Sequence, residues 1–259
     1  MTVSIGTIQF GYMIGSWNVA SGAYGKKDGW DDDEQTNKVL IIQSLTTAGA
    51  AVGALFSGNI AFLGRWNCIM IANLVLCVGV GITLIDDFVV LCIGRFIYGI
   101  SVGAFSVFCP KYISETAPIE VKGPAGALSQ VCITFGILVA FTVGLGIGDV
   151  DEDDVDSFEI QYYWYILFAL PLAFSTIQMI LLYCVFPYDT PVSLKQNGKL
   201  GELNKLMNNI YKTEEIANER IDQILIISEE NSGKQTYGSL CCGPRYRRAT
   251  WVGCTLSVF

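Results

Sequence analysis

Residues 94–148, GRFIYGISVGAFSVFCPKYISETAPIEVKGPAGALSQVCITFGILVAFTVGLGIG, consist of two apolar runs joined by a short polar connector. Each run is about twenty residues long, the length that an α-helix needs to cross the hydrocarbon core of a bilayer. The second run carries one isolated amide, Gln130. The stretch therefore predicts two membrane spans with a loop between them. The connector holds Pro110, Lys111, Tyr112, Glu115, Pro118, Lys122 and Gly123.

The same alternation of apolar runs and charged loops extends along all 259 residues, of which 52% are apolar and 15% charged. A soluble domain has about 25% charged residues, so the composition favours a membrane protein. We predict an all-α fold with six transmembrane helices in residues 1–190, a cytoplasmic helical linker over 191–246, and the start of a seventh span over 247–259. The six spans are predicted at residues 2–23, 39–62, 68–85, 88–108, 125–147 and 162–186.

The charges between the spans predict the orientation of the bundle. Residues 149–159 hold seven carboxylates and no base, and the loop after the first span is also acidic. Lys and Arg are concentrated in the loops on the other side and in residues 187–248. By the positive-inside rule, we expect the N-terminus and the 187–248 segment to lie in the cytoplasm.

Several chemistries are excluded by the residue types present. The chain has no His, so a His general base and an ordinary zinc site are unavailable. No nucleophile–base pair and no metal-ligand cluster can be recognised, and nothing resembles a nucleic-acid footprint. The sequence therefore predicts that the protein is not an enzyme, has no cofactor or metal, and binds no nucleic acid.

Glycines recur inside the predicted spans at G-x-x-x-G spacing. Small residues at this spacing let two helices pack backbone to backbone in lipid. We interpret these pairs as contacts within the bundle rather than as a dimerisation motif. The pairs are Gly11 and Gly15, Gly49 and Gly53, Gly99 and Gly103, and Gly144 and Gly148.

Six short motifs occur in an order that resembles the sugar-porter family of the major facilitator superfamily, in particular facilitative glucose transporters and protist hexose transporters. They are Gln9-Phe10-Gly11-Tyr12 with Gly15 and Asn18, Gly64-Arg65, Gly94-Arg95-Phe96 with Gly99 and Gly103, the connector described above, Gln130 with Gly136, and PYDTPVSLKQNGK at residues 187–199.

The resemblance implies an N-terminal half-bundle of a major facilitator fold that transports hexose by alternating access. Its partners would be a small-molecule sugar and the lipid bilayer. Family analogy places it in the plasma membrane, with an organellar membrane as the alternative.

An isolated amide such as Gln130 is costly in an apolar helix unless a polar group meets it. Gln130 either bonds a neighbouring helix, for example at Asn18, or faces a water-filled cavity and bonds sugar hydroxyls. The resemblance favours the sugar contact. Ile133, Thr134 and Ile137 share its helical face and are predicted pocket walls. Phe10 and Asn18 are further candidates for the pocket.

A second set of candidates is predicted to form interhelical salt bridges that act as a gate, as the resemblance implies. Arg65, Glu115 and Lys122 lie at the predicted cytoplasmic ends of helices, and Arg95 is added from the fourth-span motif. In the family such bridges hold the outward-open state and break during alternating access. The alternative is that these residues are solvated loop charges.

The sequence departs from the family pattern at several positions. Met13 stands where proton-coupled members carry Asp, and no carboxylate lies in the middle of a predicted span, which favours a facilitative uniporter over a symporter. Trp66 replaces the base expected after Arg65. Lys122 replaces Arg and loses bidentate pairing with a carboxylate.

Sugar porters have twelve spans, whereas this sequence ends inside the predicted seventh. The second half would belong to the same chain, or other membrane subunits would replace it. The alternative function is a truncated or degenerate half-transporter that acts as a structural subunit of a membrane complex or as a sugar sensor. Pairing of two identical halves is a third interpretation.

Overall fold

The computed structural model describes residues 2–27, 30–85, 87–117, 121–145, 158–185, 187–210 and 221. These ranges are helical, without a strand, and each of the six predicted spans falls on one long helix. Two short helices follow within the predicted linker, of which residues 211–220 and 222–246 lie outside the described ranges, as does the predicted seventh span. The helices are α1 (Ser4–Lys27), α2 (Asp32–Ile60), α3 (Arg65–Thr83), α4 (Phe88–Thr116), α5 (Lys122–Gly144), α6 (Phe158–Cys184), α7 (Pro191–Gln196) and α8 (Leu200–Ile210).

Five of the described helices, α2 to α6, are long and apolar enough to cross a membrane by length and composition. Helix α1 is the exception, although its 24 residues would reach across a bilayer. Its Thr7, Gln9 and Ser16 are buried inside the bundle, where they meet protein rather than lipid. Packing against its neighbours therefore allows α1 a more polar sequence than the other five helices.

The chain divides into two compact units, residues 1–202 and 203–259. The first unit is the helical bundle together with α7. In the second unit, the described part of α8 buries Leu203, Leu206 and Met207, which recur at three- and four-residue spacing. This is the pattern of a helix with one apolar face.

Helix α4 lies at the centre of the bundle and packs on α2 and α3. At the crossing of α2 and α4, glycines from both helices bring the backbones into contact. A Cβ added at Gly53 would clash with the carbonyl oxygen of Ile100, and one at Gly103 would clash with that of Ala50. Gly49 and Gly99 meet backbone carbonyls in the same way.

Helices α1 and α5 form the second close pair and run parallel. Gly11 lies against the carbonyl of Ile133, and Gly15 lies one turn further on against Ile137. These contacts fix the register of the two helices. The predicted packing role of G-x-x-x-G is confirmed for the pairs on α1, α2 and α4, whereas Gly148 lies outside the described residues.

Buried hydrogen bonds tie α1 to α6 and α3 to its neighbours. Gln9 Nε2 donates to Gln178 Oε1 at 3.2 Å, and the Tyr12 hydroxyl donates to the Leu167 carbonyl at 2.7 Å. Ser175 Oγ of α6 donates to Asn73 Oδ1 of α3 at 2.8 Å. In a low-dielectric interior, such pairs fix which helix faces meet, because an unpaired polar group there is costly.

We expect Gly53→Ala to destabilise the protein, because the new methyl group has no room beside the Ile100 carbonyl and must push α2 away from α4. The thermal unfolding midpoint (Tm) in detergent should fall by several degrees. The control is Gly81→Ala on α3, where an added Cβ meets no atom within 4 Å. The Tm of this control should remain the same or rise, since Ala is a better helix former than Gly. Equal Tm values for the two variants would contradict the close crossing.

Candidate functional site

Four of the six predicted sugar-contact residues lie on α5, which is the most open of the membrane-length helices, and Phe10 and Asn18 lie on α1. Only 17% of its apolar span is buried inside the bundle, compared with 56% for α4. Gln130 is exposed, and its side-chain amide makes no hydrogen bond to any described residue. Thr134 is also exposed and donates its hydroxyl to the Gln130 carbonyl oxygen at 3.2 Å. The two residues therefore present an amide and a hydroxyl on one outward face.

Ile133 and Ile137 are half-buried and lie at the seam between α1 and α5, since their backbones contact Gly11 and Gly15. Phe10 is half-buried next to Gly11, at about the level of Ile133. The structure thus brings Gln130, Ile133 and Phe10 within about one turn of each other along the α1–α5 pair, whereas Ile137 lies about 10 Å beyond Gln130. Phe10 packs against the apolar cluster that contains Met13 and Val102.

Asn18 does not belong to this group. With Gly11 opposite Ile133, Asn18 lies about 15 Å from Gln130 along the helix axes at 1.5 Å per residue. The two amides are therefore too far apart for the hydrogen bond that the sequence left open. Asn18 is exposed further along α1.

A second polar site joins the end of α4 to the start of α3. Arg65 Nη2 and Glu115 Oε1 form an ion pair at 3.2 Å, and both side chains are buried, with 5% and 12% of their surface exposed. Arg65 Nη1 also donates to the Ala61 carbonyl at 2.9 Å and to Gln196 Oε1 at 3.4 Å. The guanidinium therefore links α3, α4 and α7.

The segment between α6 and α7 completes this site with Asp189 and Thr190. Thr190 caps the start of α7 and donates its hydroxyl to Glu115 Oε2 at 2.6 Å. Asp189 Oδ1 accepts the backbone N–H of Trp66 at 3.0 Å, and Oδ2 accepts the Ser193 hydroxyl at 2.5 Å. We call Arg65, Glu115, Asp189, Thr190 and Ser193 the α3–α4 cluster.

Asp189 supplies the cap that α3 lacks. Gly64, the residue before α3, has no side chain to accept the unpaired N–H groups of the first turn. Its φ of +97° favours glycine, and a Cβ there would collide with the Asp189 carboxylate. The partial positive charge at the start of α3 also compensates a second carboxylate in a cluster that has one guanidinium.

Two further hydrogen bonds hold this segment against the bundle. The Tyr112 hydroxyl donates to the Tyr188 carbonyl at 2.9 Å, and Trp66 Nε1 donates to the Leu182 carbonyl at 3.3 Å. Trp66, which departs from the family pattern, therefore connects the start of α3 to the end of α6.

The other two predicted gate residues are placed differently. Lys122 is the first residue of α5, and its side chain lies outside the described part of the structure. Arg95 lies twenty residues before Glu115 on α4, about 30 Å away along the axis. It makes no salt bridge with a described carboxylate, so the prediction that it joins the same set of salt bridges is corrected.

Arg95 lies instead among aromatic rings and is 1% exposed. Its guanidinium carbon is 4.3 Å from the ring centre of Phe168 and 4.9 Å from that of Trp17. A desolvated cation–π contact contributes about 2 kcal/mol, whereas a buried unpaired charge costs several kcal/mol. The rings therefore offset only part of the cost of burying this charge.

Comparison with known proteins identifies the family. The model of the family described as "Sugar (and other) transporter" matches residues 1–259. The chain belongs to this family. Among its relatives are "Hexose transporter 1" of Plasmodium vivax, 31% identical over 96% of this chain and 52% of the relative, and "Hexose transporter 1" of Toxoplasma gondii, 27% identical over 100% and 48%. This family member thus spans about half the length of these relatives.

The fold agrees with that assignment. A solved structure of the proton:xylose symporter XylE, a major facilitator superfamily protein bound to 6-bromo-6-deoxy-D-glucose, matches with a TM-score of 0.78 at 22% identity. The match covers 92% of this chain and 54% of XylE. The prediction of an N-terminal half-bundle of a major facilitator fold is confirmed.

Sequence reasoning missed Asp189, Thr190 and Ser193 as members of a site. The segment 187–199 was recognised as a motif, but its residues were given no role. A signal was present, because Asp-Thr-Pro is a typical helix start, with Thr as N-cap and Pro at the first helical position. The partner of the Asp could not be inferred, since it is the backbone of a helix more than 120 residues earlier.

We expect Glu115→Gln to lower the free energy of unfolding by about 3 kcal/mol, because it leaves the buried Arg65 guanidinium without its counter-charge. The matched control is Glu202→Gln, which breaks the exposed Lys199–Glu202 pair at 3.4 Å and should cost under ~1 kcal/mol. Equilibrium unfolding in mixed micelles measures both values. If Arg65→Gln and Glu115→Gln destabilise additively in the double variant, the two side chains are not coupled.

Proposed function

We propose that this chain forms the N-terminal half of a facilitative hexose transporter that works by alternating access, with no chemical change to the sugar. The observation that carries the proposal is the exposed Gln130 amide, which no described residue bonds, beside Thr134 on the most open of the membrane-length helices. The names of the relatives from Plasmodium and Toxoplasma give the substrate class.

The residues around Gln130 suit a sugar. The amide has two donor hydrogens and an acceptor oxygen, so it can bond two neighbouring hydroxyl groups of a pyranose at once. Ile133 and Phe10 lie within about one turn of Gln130, and Ile137 follows one turn beyond Ile133. These side chains would supply the apolar walls that pack on the C–H faces of the ring. A pocket of few polar groups on an apolar wall is typical of small-molecule sites.

The distribution of polar residues supports a protein- or water-facing surface on α5. On α3 the large exposed side chains are Ile71, Leu74 and Val78, as expected for contact with lipid. Helix α5 mixes exposed Phe135 and Leu138 with Gln130 and Thr134. Since an amide in lipid is costly, we assign this face to the substrate pathway and to the second half of the transporter.

We assign the α3–α4 cluster to the cytoplasmic gate. It connects the ends of α3 and α4 to the segment that leads into α7, so these elements would move as one body while it is intact. In this proposal residues 1–190 form the moving bundle, residues 191–246 a cytoplasmic linker, and residues 247–259 the start of the seventh helix. Both the N-terminus and the linker lie on the cytoplasmic side, and the membrane is the plasma membrane.

Facilitated diffusion is favoured over proton coupling by the surroundings of Met13. This residue is 8% exposed and packs in an apolar cluster with Tyr98 and Val102, and no described carboxylate lies in the central part of a span. A coupling proton in the membrane interior is typically carried by a carboxylate, and the described spans offer none in their central parts.

Gln130→Ala should raise the KM for hexose about tenfold or more, since it removes two hydrogen bonds to the sugar. Uptake of radiolabelled glucose by the native full-length protein in cells without their own hexose uptake measures this. The control is Thr142→Ala, an exposed polar residue three turns further along α5, which should leave uptake unchanged. If the Gln130→Ala variant takes up glucose with an unchanged KM, the amide does not bind the sugar and its role is in helix packing.

Glucose entry into proteoliposomes should not respond to an imposed pH gradient. Sugar should equilibrate to equal concentrations inside and outside, with the same initial rate in the presence of a protonophore. Accumulation above the outside concentration that the protonophore abolishes would show a symporter instead. Expressed protein that reaches the membrane and binds glucose without any uptake would favour the sensor or structural-subunit alternative.

A further inference from the structure

A small cavity lies beside Arg95, between α1, α3, α4 and α6. Its volume is about 10 Å³, which is room for about one water molecule. The lining includes Ser16, Thr83, Arg95, Tyr98, Phe168 and Pro171. The cavity is separate from the α5 face and from the α3–α4 cluster.

Three polar atoms at this cavity are unsatisfied, and each of them can donate a hydrogen bond. Arg95 Nε and Nη2 and the Tyr98 hydroxyl are buried without a hydrogen-bond partner in the described structure. Arg95 and Tyr98 are 1% and 3% exposed, so solvent does not replace the missing acceptor. The hydroxyls of Ser16 and Thr83 already donate to the carbonyls of Met13 and Gly79. Among the described residues, no acceptor is therefore paired with the two free donors of Arg95.

The site also lacks a negative charge. No carboxylate of the described residues pairs with the Arg95 guanidinium, and the groups above it are the rings of Trp17 and Phe168. A guanidinium stays protonated in proteins, so burial cannot neutralise it by loss of the proton. A buried charge needs a counter-charge close by.

We propose that this cavity binds a small inorganic anion, with chloride as the physiological ligand, held by the Arg95 guanidinium and the Tyr98 hydroxyl. A monatomic halide is the anion nearest in size to this cavity, whereas phosphate or sulfate with five heavy atoms is far too large. A cation is repelled by Arg95. Water fits the space but leaves the charge uncompensated. The bound anion completes the packing of α1, α4 and α6 around Arg95, so it should stabilise the fold.

The test is the Tm of the purified full chain in detergent, titrated from sodium gluconate into sodium chloride at constant ionic strength. We expect a saturable rise in Tm with chloride and with bromide, because a ligand that binds only the folded state stabilises it. Tyr98→Phe should raise the half-saturating chloride concentration about tenfold, by the loss of one charge-assisted hydrogen bond. The control is Tyr183→Phe, at a tyrosine of α6 that is 71% exposed. Its Tm should depend on the chloride concentration in the same way as that of the unchanged protein.

Bromide soaked into crystals gives an independent readout, since its anomalous scattering should locate a peak beside Arg95 and Tyr98. This measurement needs no variant and holds even if substitution at Arg95 prevents folding. A Tm that is equal in gluconate and chloride means that water fills the cavity or that another part of the chain supplies a carboxylate, and either result overturns the proposal. A Tyr98→Phe variant with unchanged chloride affinity does so as well.

Discussion

The bundle depends on the close approach of helix backbones to α4. Between helices in lipid there is little hydrophobic driving force, so association depends on packing and on polar contacts. Gly49, Gly53 and Gly103 remove the side chains that would hold α2 away from α4, and van der Waals contact then extends along the whole crossing. With α2 and α3 fixed on α4, the remaining helices have a rigid centre on which to pack.

That central helix places a cation and an anion near its opposite ends in different environments. Glu115 near the end of α4 meets Arg65, Thr190 and the capped start of α3, so every charge there has a partner. Arg95 near the start has only aromatic rings among the described residues. In our proposals, the ion pair of the α3–α4 cluster can break and reform during a conformational change. The surroundings of Arg95 lack a counter-charge among the described residues, so an ion from solution can bind there.

The sequence was sufficient for the six helices because membrane spans must bond their backbones internally, and an apolar run of sufficient length leaves one solution. Hydropathy does not determine which helices pair. The glycine spacing predicted tight contacts, but it did not show that Gly11 meets Ile133 or that Gly53 meets Ile100. Motifs predicted Arg65 and Glu115 as site residues. No sequence pattern predicted Asp189, because its main partner is a backbone N–H. Arg95 was misplaced because the sequence shows its charge but not its distance from the other charges.

The open face of α5 carries both apolar and polar side chains, which favour different environments. Water would be a poor environment for Val131, Phe135 and Leu138, each more than half exposed. Lipid would be a poor environment for the Gln130 amide at the neighbouring position. A second protein surface that bounds a narrow aqueous path satisfies both groups, because it covers the apolar side chains and leaves the amide to water or to a hydroxylated solute. In the transporter that we propose, this mixed surface is the one that faces the partner body, and movement between the two bodies would expose Gln130 first to one side of the membrane and then to the other.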